Sequence, residues 1–433
     1  MTKQGKFASA GTQARARSHS AARPAKPPSM PEIKQAALEV PVLDASGLLT
    51  GLTWPRSDFV RAMRAACEQW GFFQIINHGL PDELVKTQFS AAERFFNLPQ
   101  EVKRACKRTP DNAMGFFDDE LTKQRLDLKE AFDYGRPLKD AVELKHLDGI
   151  NRWPDPSLAP TFKTQLTKYF SAMERVGLRL TEALALGLDL PSHALHPMME
   201  KRHSAFCRLN FYPPAHNTSA SVHDSNGHGP TAGTAATTNS VAATAEQDNN
   251  RDTPHANGNL GSDSHATDSS GSRGASAPGR TDEVASSRGQ AWHEAGRDLG
   301  ISPHSDAGFL TVLAQGPTPG LEVWHEGRWH LVRPIPGAFV VNVGDMCEVL
   351  TNGRYKAVLH RVLASGPQPR SSVAFFFNPS YESDVAPLQS CISPQHPLKY
   401  KPVSWGYYRT ERFAGDVSDA GKEIQLDDYL VQN

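Results

Sequence analysis

Apolar residues recur at helical spacing in three stretches of the N-terminal half. The first follows Ser57, the second runs from Pro81 to Pro99, and the third runs from Pro160 to Gly187. Proline is tolerated in the first turn of a helix, and glycine or proline commonly ends one, so these residues mark the predicted boundaries. Because the third stretch is apolar along one side, we expect a scaffold helix packed against a sheet.

Short apolar runs broken by glycine and proline predict strands in much of the remaining chain. A glycine turn at Gly327 separates two of these runs and predicts a hairpin. The predicted strands occupy residues 38–44, 72–76, 204–212, 321–324, 328–332, 339–343 and 373–377. Many short strands of this kind are typical of a jelly roll. The predicted fold class is therefore mainly β with flanking α elements, a jelly-roll core with N-terminal helices.

One long internal stretch lacks the apolar residues that a core requires. Residues 215–298 consist mainly of Ser, Thr, Gly, Ala, Asn, Asp and His. Such a segment cannot bury enough apolar surface to offset its chain entropy, so we predict a disordered insertion. Its histidines are interpreted as solvated loop residues rather than as a metal site. One domain is then formed by residues 38–214 and 299–421, and residues 422–433 form a C-terminal tail.

The N-terminal segment, residues 1–37, has a different composition again. Its first 31 residues are rich in Ala, Ser, Arg and Pro and contain no Asp or Glu. This composition is typical of a disordered basic tail, and also of an organelle transit peptide. A tail would accompany a cytoplasmic location, whereas a transit peptide would direct the protein to a chloroplast or mitochondrion.

Charge and cysteine content exclude several classes of function. The 433 residues include 46 basic and 47 acidic side chains, so no global field attracts nucleic acid or anionic lipid. No run is long and apolar enough to cross a bilayer, and we expect no membrane partner and a monomer. The five scattered cysteines are expected to be reduced thiols. The charged run at 127–135 (DLKEAFDYG) is interpreted as a solvated face.

Candidate chemistry concentrates between His304 and Ser372. His304 and Asp306 are two residues apart, so in a strand their side chains would project from the same face. A second strand could bring His360 opposite them. Two imidazoles and one carboxylate on one face of a metal form the facial triad of non-haem Fe(II) oxygenases, which leaves three coordination positions open. The sequence therefore predicts a catalytic iron site at these three residues.

A second pair of residues follows the distal histidine. Arg370 and Ser372 are also two apart and would share a face. A guanidinium group and a hydroxyl suit a carboxylate, because arginine binds that group through two parallel hydrogen bonds. Phe376 lies an even number of positions after Arg370 and Ser372, so it is predicted to face the same cavity as they do. It is therefore a predicted substrate-pocket residue. Asn210 and Tyr212 share a face of the 204–212 strand.

Seven short motifs are distributed along the predicted domain. They are 72–79 (FFQIINHG), 151–154 (NRWP), 210–213 (NFYP), 304–306 (HSD), 342–345 (NVGD), 350–362 (LTNGRYKAVLHRV) and 370–372 (RSS). Together they resemble the isopenicillin N synthase-like, plant-type family of 2-oxoglutarate- and Fe(II)-dependent dioxygenases, over residues 38–214 and 299–421. The resemblance is specific because the H-x-D pair, the distal histidine and the R-x-S pair occur together in the right order.

The resemblance implies a double-stranded β-helix that holds Fe(II) through His304, Asp306 and His360. Arg370 and Ser372 would then bind the distal carboxylate of 2-oxoglutarate, with Tyr212 and Asn210 nearby. Oxygen and a small organic substrate complete the reaction, which hydroxylates or desaturates the substrate and releases succinate and CO2. Ascorbate is a further candidate cofactor.

Three alternatives remain open at this point. Some relatives with R-x-S take electrons from ascorbate or from the substrate itself, without 2-oxoglutarate. The chain could also be an inactive jelly roll that binds a ligand or partner. A cupin-like zinc or manganese site is the third alternative, although a bare metal site needs no carboxylate clamp. The substrate is not identified by the sequence.

Overall fold

The computed structural model describes residues 39–50, 58–122, 125–136, 147, 149–199, 203–214, 299–364, 366–417 and 424–432. The predicted N-terminal tail and the predicted insertion lie outside these residues. The α-helices are α1 (Asp58–Gln69), α2 (Asp82–Phe96), α3 (Gln100–Ala105), α4 (Phe162–Gly187), α5 (His196–Met199), α6 (Asp345–Leu350) and α7 (Trp405–Val417). No helix in these ranges is long and apolar enough to span a membrane.

Sixteen strands occur within the described part of the chain. They are β1 (Val42–Asp44), β2 (Phe72–Ile76), β3 (Gly115–Phe117), β4 (Leu121–Thr122), β5 (Arg125–Leu126), β6 (Glu130–Gly135), β7 (Phe206–Tyr212), β8 (Leu299–His304), β9 (Leu310–Gln315), β10 (Leu321–His325), β11 (Arg328–Leu331), β12 (Phe339–Val343), β13 (His360–Leu363), β14 (Arg370–Phe377), β15 (Asp384–Val385) and β16 (Val403–Ser404). Short 3-10 helices lie at Gln389–Cys391 and Leu426–Tyr429.

Two sheets form the jelly-roll core. The larger has eight strands in the order β1-β2-β12-β9-β14-β7-β6-β3, and the smaller has four in the order β11-β10-β13-β8. All pairs in the two sheets are antiparallel except β1 with β2. The sheets pack against each other through a shared apolar cluster that includes Phe72 and Val340 from the larger sheet and Val323 and Val362 from the smaller one.

Helix α4 covers the opposite face of the larger sheet. Phe170 of α4 packs edge-on against Phe375 of β14, with ring centroids 5.7 Å apart. A Cβ at Gly177 would lie 2.7 Å from the ring of Phe377, so the helix approaches the strand more closely than any larger residue permits. Alternate side chains of β14 therefore pack under α4, and the others face the smaller sheet.

The predicted hairpin is present with a two-residue turn. His325 pairs with Arg328, and the intervening Glu326 and Gly327 have φ values of +47° and +77°. Two residues with positive φ are typical of the type I′ turn, whose twist matches that of the flanking strands. The predicted strand at 38–44 is shorter than expected, because only Val42–Asp44 pairs, in parallel, with β2.

Candidate active site

The two histidines meet where two strands of the smaller sheet pair. His304 ends β8 and His360 begins β13, and they are direct antiparallel partners with ring centroids 4.3 Å apart. Nδ1 of His304 lies 2.8 Å from the carbonyl oxygen of Ser302, and Nδ1 of His360 lies 3.3 Å from that of Val358. Because a carbonyl only accepts, each Nδ1 carries the hydrogen. Each Nε2 is therefore left with a lone pair that a metal can bind.

Asp306 does not lie on a strand. The prediction that His304 and Asp306 project from the same face of one strand is therefore wrong. Strand β8 ends at His304, and Asp306 lies in the loop that leads to β9. Its position is fixed by side chains instead. Oδ2 accepts hydrogen bonds from Thr311 Oγ1 at 2.6 Å and from Asn342 Nδ2 at 2.7 Å. Oδ1 lies 3.8 Å from His304 Nε2 and 3.7 Å from the Nε2 of His360, the third member of the group.

The protonation states of these groups suit a divalent cation. Burial, followed by the neighbouring His360, lowers the pKa of His304, so its imidazole is neutral at neutral pH. Burial alone would raise the pKa of Asp306, but His360, His304 and the two hydrogen bonds lower it, and the carboxylate is ionised. One ligand atom from each residue lies within 4.8 Å of the others. Two imidazole nitrogens and one carboxylate oxygen are the donor set that Fe(II) takes in facial-triad sites.

The Asp306 loop is held from beneath by α6 and α7. The amide of Asp345 donates to the carbonyl oxygen of Asp306 at 2.8 Å, and Tyr408 Oη donates to Asp345 Oδ2 at 2.8 Å. At Gly344, a Cβ would lie 2.3 Å from the carbonyl oxygen of Gly308 and 2.8 Å from that of Asp306. Only glycine permits this approach, which explains why the NVGD motif contains one.

Arg370 lies in the same cavity and has no acidic partner among the described residues. Only 1% of its surface is exposed, and burial lowers the pKa of its guanidinium group. Its neighbours are uncharged: Tyr212, whose ring centroid is 4.8 Å from Cζ, Ser372 Oγ at 3.5 Å and Gln315 Oε1 at 3.4 Å. Arg370 Nε, Gln315 Nε2 and Asn210 Oδ1 are buried without hydrogen-bond partners. A buried cation with unused donors fits a carboxylate ligand.

All the site residues predicted from the sequence line this one cavity. β14 pairs with β7 so that Arg370 is opposite Tyr212 and Ser372 is opposite Asn210. Phe376 stacks on Phe206, with ring centroids 4.6 Å apart. The residues brought together are His304, Asp306, His360, Arg370, Ser372, Tyr212, Asn210 and Phe376.

The cavity also contains charged residues that the sequence analysis missed. The run at 127–135 was expected to be a solvated face, but the structure contradicts this: Asp127, Lys129 and Asp133 are buried. Lys129 Nζ lies 2.6 Å from Glu120 Oε2 and 2.9 Å from Asp127 Oδ2. Although burial opposes the charge on Lys129, these two acids raise its pKa. A segment with buried ion pairs resembles a solvated face in sequence, because both contain charged residues close together in the chain.

Two family models match the chain. The first, described as non-haem dioxygenase in morphine synthesis N-terminal, matches residues 40–156. The second, described as 2OG-Fe(II) oxygenase superfamily, matches residues 289–379 and so includes the His304, Asp306 and His360 group and the Arg370 pair.

Curated relatives and solved structures agree with these matches. The chain is 26% identical to oxoglutarate-dependent flavonoid 7-O-demethylase 1 of Ocimum basilicum, over 91% of this chain and 82% of the relative. It is 27% identical to jasmonate-induced oxygenase 4 of Arabidopsis thaliana, over 87% of this chain and 82% of the relative. The fold is similar to that in the crystal structure of JOX2 in complex with 2OG, Fe and JA, with a TM-score of 0.62 and 23% identity over 91% of this chain and 90% of that one.

The fold, the two matches and the His-Asp-His group define a non-haem Fe(II)- and 2-oxoglutarate-dependent oxidoreductase. The family models and the relatives support the plant-type 2-oxoglutarate/Fe(II) dioxygenase family, as the motifs of the sequence predict.

Proposed function

We propose that His304, Asp306 and His360 bind Fe(II), and that Arg370 binds the distal carboxylate of 2-oxoglutarate. The observation that carries this proposal is a buried guanidinium group without an acidic partner in the described chain, in the same cavity as three convergent ligand atoms. Bound iron would supply the oxygen-dependent redox chemistry that converts 2-oxoglutarate to succinate and CO2 and oxidises a small organic substrate.

The protein's own residues position the reactants. Thr311 and Asn342 hold Asp306 Oδ2, which leaves Oδ1 directed toward the two Nε2 atoms. The planar fork of Arg370 orients 2-oxoglutarate through two parallel hydrogen bonds, with Ser372 as an additional donor. The stacked rings of Phe206 and Phe376 provide an apolar wall that excludes water from the reacting atoms.

The test is succinate formation from Fe(II), 2-oxoglutarate and a panel of metabolites. We expect the native protein to release succinate and His360→Ala to release none. His396→Ala is the matched control, because its exposed side chain lies outside the cavity. Full activity in His360→Ala would contradict the proposed ligand set.

An oxidase that takes its electrons from ascorbate or from the substrate is the alternative within the family. The uncharged surroundings of Arg370 favour 2-oxoglutarate, since a buried cation without a charged ligand costs free energy. Substrate oxidation in the complete absence of 2-oxoglutarate, with the product confirmed by mass, would establish this alternative instead.

A further inference from the structure

Helix α7 places a second arginine in the wall of the cavity. Arg409 is half-buried and lines the same space as the His-Asp-His group. Its Cζ lies 5.5 Å from the ring centroids of both Phe206 and Phe413. Across the ranges that the structure describes, its guanidinium group makes no hydrogen bond or ion pair. The two rings contact the group, and within the described residues all five of its donors are left for a ligand.

The other cations around this part of the cavity have acidic partners. Arg208 bonds to Asp133 Oδ1 at 2.8 Å and to Asp133 Oδ2 and Glu120 Oε2 at 2.9 Å. Lys129 pairs with Glu120 and Asp127. These residues form one buried charge cluster, and the contacts occupy its carboxylates. Burial alone would raise the pKa of Glu120, but Arg208 and Lys129 lower it. The charges of this cluster are therefore paired with one another, and none of its carboxylates pairs with Arg409.

The remaining cation of the helix has a structural role. Arg412 donates from Nη2 to the carbonyl oxygen of Ser305 at 3.4 Å and from Nη1 to Gln425 Oε1 at 3.2 Å. It also lies close enough to Asp345 to lower the pKa of that carboxyl, against the larger effect of burial. Arg412 thus joins the C-terminal segment to the Asp306 loop. Arg409 differs from it, because its guanidinium contacts within the described residues are with aromatic rings.

Arg370 and the rings that Arg409 contacts lie near opposite ends of β14. Arg409 contacts Phe206, which stacks on Phe376, and Phe376 follows Arg370 by six positions on β14. Six residues of a strand extend about 20 Å. A five-carbon diacid is less than about 8 Å long, since each carbon–carbon bond is about 1.5 Å. Arg370 is assigned to 2-oxoglutarate, so Arg409 is available to a different ligand.

We infer that the oxidised substrate is an apolar carboxylic acid whose carboxylate binds Arg409. One uncompensated positive charge calls for a monoanion, and the guanidinium fork matches a planar carboxylate. The hydrocarbon part of the acid would pack against Phe206 and Phe376, between Arg409 and the iron ligands. The inference rests on the proposed function in one respect: the bound acid is the substrate only if the protein is an enzyme. Arg409 is then the residue that selects acids over their neutral derivatives.

The test compares acids with their methyl esters. The probes are naphthalene-1-acetate, 3-phenylpropionate and decanoate, each measured beside its ester by calorimetry. The protein is loaded anaerobically with Fe(II) and saturating 2-oxoglutarate, so that Arg370 is occupied and no turnover occurs. We expect at least one acid to bind about tenfold or more tightly than its ester, because a buried guanidinium–carboxylate pair is lost in the ester.

Three variants assign that preference to Arg409. In Arg409→Met, acid and ester should bind within about twofold of each other, whereas Arg409→Lys should keep part of the preference. Arg175→Met, the same substitution at an exposed position of α4, should behave as the native protein. Iron content and 2-oxoglutarate affinity should be unchanged in all three variants. These two measurements also show that each variant is folded.

The inference is overturned if no acid binds more tightly than its ester, or if Arg409→Met retains the preference. Failure of the proposed function is separable from this result. Absence of succinate formation, with the acid preference still dependent on Arg409, would refute the enzymatic assignment and leave a carboxylate-binding cavity.

Discussion

Replacing Arg370 with methionine should separate ligand affinity from stability. Arg370 is 1% exposed in the native protein, and its guanidinium group faces only neutral groups among the described residues. A buried charge without a counter-ion destabilises the ligand-free protein, so Arg370→Met is expected to leave its thermal stability unchanged or to raise it. Arg370→Met should nevertheless weaken 2-oxoglutarate binding severely, because the distal carboxylate of the ligand would then be buried without its partner.

The expected loss follows from the cost of leaving a buried charge unpaired. Truncation of one partner of a buried, hydrogen-bonded charge pair costs about 2–5 kcal/mol. This corresponds to roughly a 30- to 4,000-fold rise in the dissociation constant for 2-oxoglutarate. Arg370→Lys should lose less, since it keeps the charge but not the planar fork, and should raise the apparent KM for 2-oxoglutarate more than it lowers kcat.

The matched comparison is Arg361, a buried arginine that does have a partner. Its Nε and Nη2 both lie 2.8 Å from Glu322 Oε2. Arg361→Met removes this charged partner from the buried Glu322 carboxylate, and should destabilise the protein by about 3–5 kcal/mol. Calorimetry with 2-oxoglutarate and melting curves of the ligand-free variants measure both effects. The reasoning is refuted if Arg370→Met binds 2-oxoglutarate within threefold of the native protein, or if it melts as early as Arg361→Met.

The remaining predictions concern the iron ligands, their supports and the insertion. Removing either hydrogen-bond donor to the metal carboxylate, in Thr311→Val or Asn342→Leu, should weaken Fe(II) binding by about 10- to 100-fold in an anaerobic titration; unchanged affinity would show that Asp306 is held by the backbone alone. Replacing residues 216–291 with a short Gly-Ser linker should leave the melting temperature nearly unchanged, whereas a large drop would mean that the segment packs against the domain. Each of His304→Ala, Asp306→Ala and His360→Ala removes one iron ligand and should abolish both iron retention and succinate formation. Metal analysis measures the iron retained by each variant.

Local periodicity was sufficient to predict seven of the strands in the described chain and the facing of β14. The even spacing of Arg370, Ser372 and Phe376 placed them on one face of β14, and that face lines the cavity. The long helix after Pro160 was also predicted, because its apolar stripe follows the helical repeat over many turns. These features depend on neighbours in the chain, which the sequence records directly.

The same reasoning failed where position depends on distant residues. Asp306 was placed on a strand by alternation, but it lies in a loop that Thr311, Asn342 and Asp345 hold from other elements. Arg409 carries no sequence signal at all. On the amphipathic helix α7 its sequence context is that of a solvated charge, and only the structure shows that it lines the cavity.

The buried charges show a further limit of sequence patterns. Lys129 and Asp127 pair with each other, but Glu120 and Arg208 come from separate segments of the chain. Because a buried ion pair requires partners that only the tertiary structure brings together, composition alone could not distinguish this cluster from a solvated face. Asn342 is different, because the sequence identifies its NVGD motif, although only the structure shows its hydrogen bond to Asp306.

Succinate release in the native protein and in Asp306→Ala tests the central claim most directly. Each protein is supplied with Fe(II), 2-oxoglutarate and oxygen, and each component is omitted in turn. The native protein should form succinate only when all three are present, and Asp306→Ala should form none while remaining folded. Equal succinate formation by the two proteins would contradict the assignment of His304, Asp306 and His360 as the iron site.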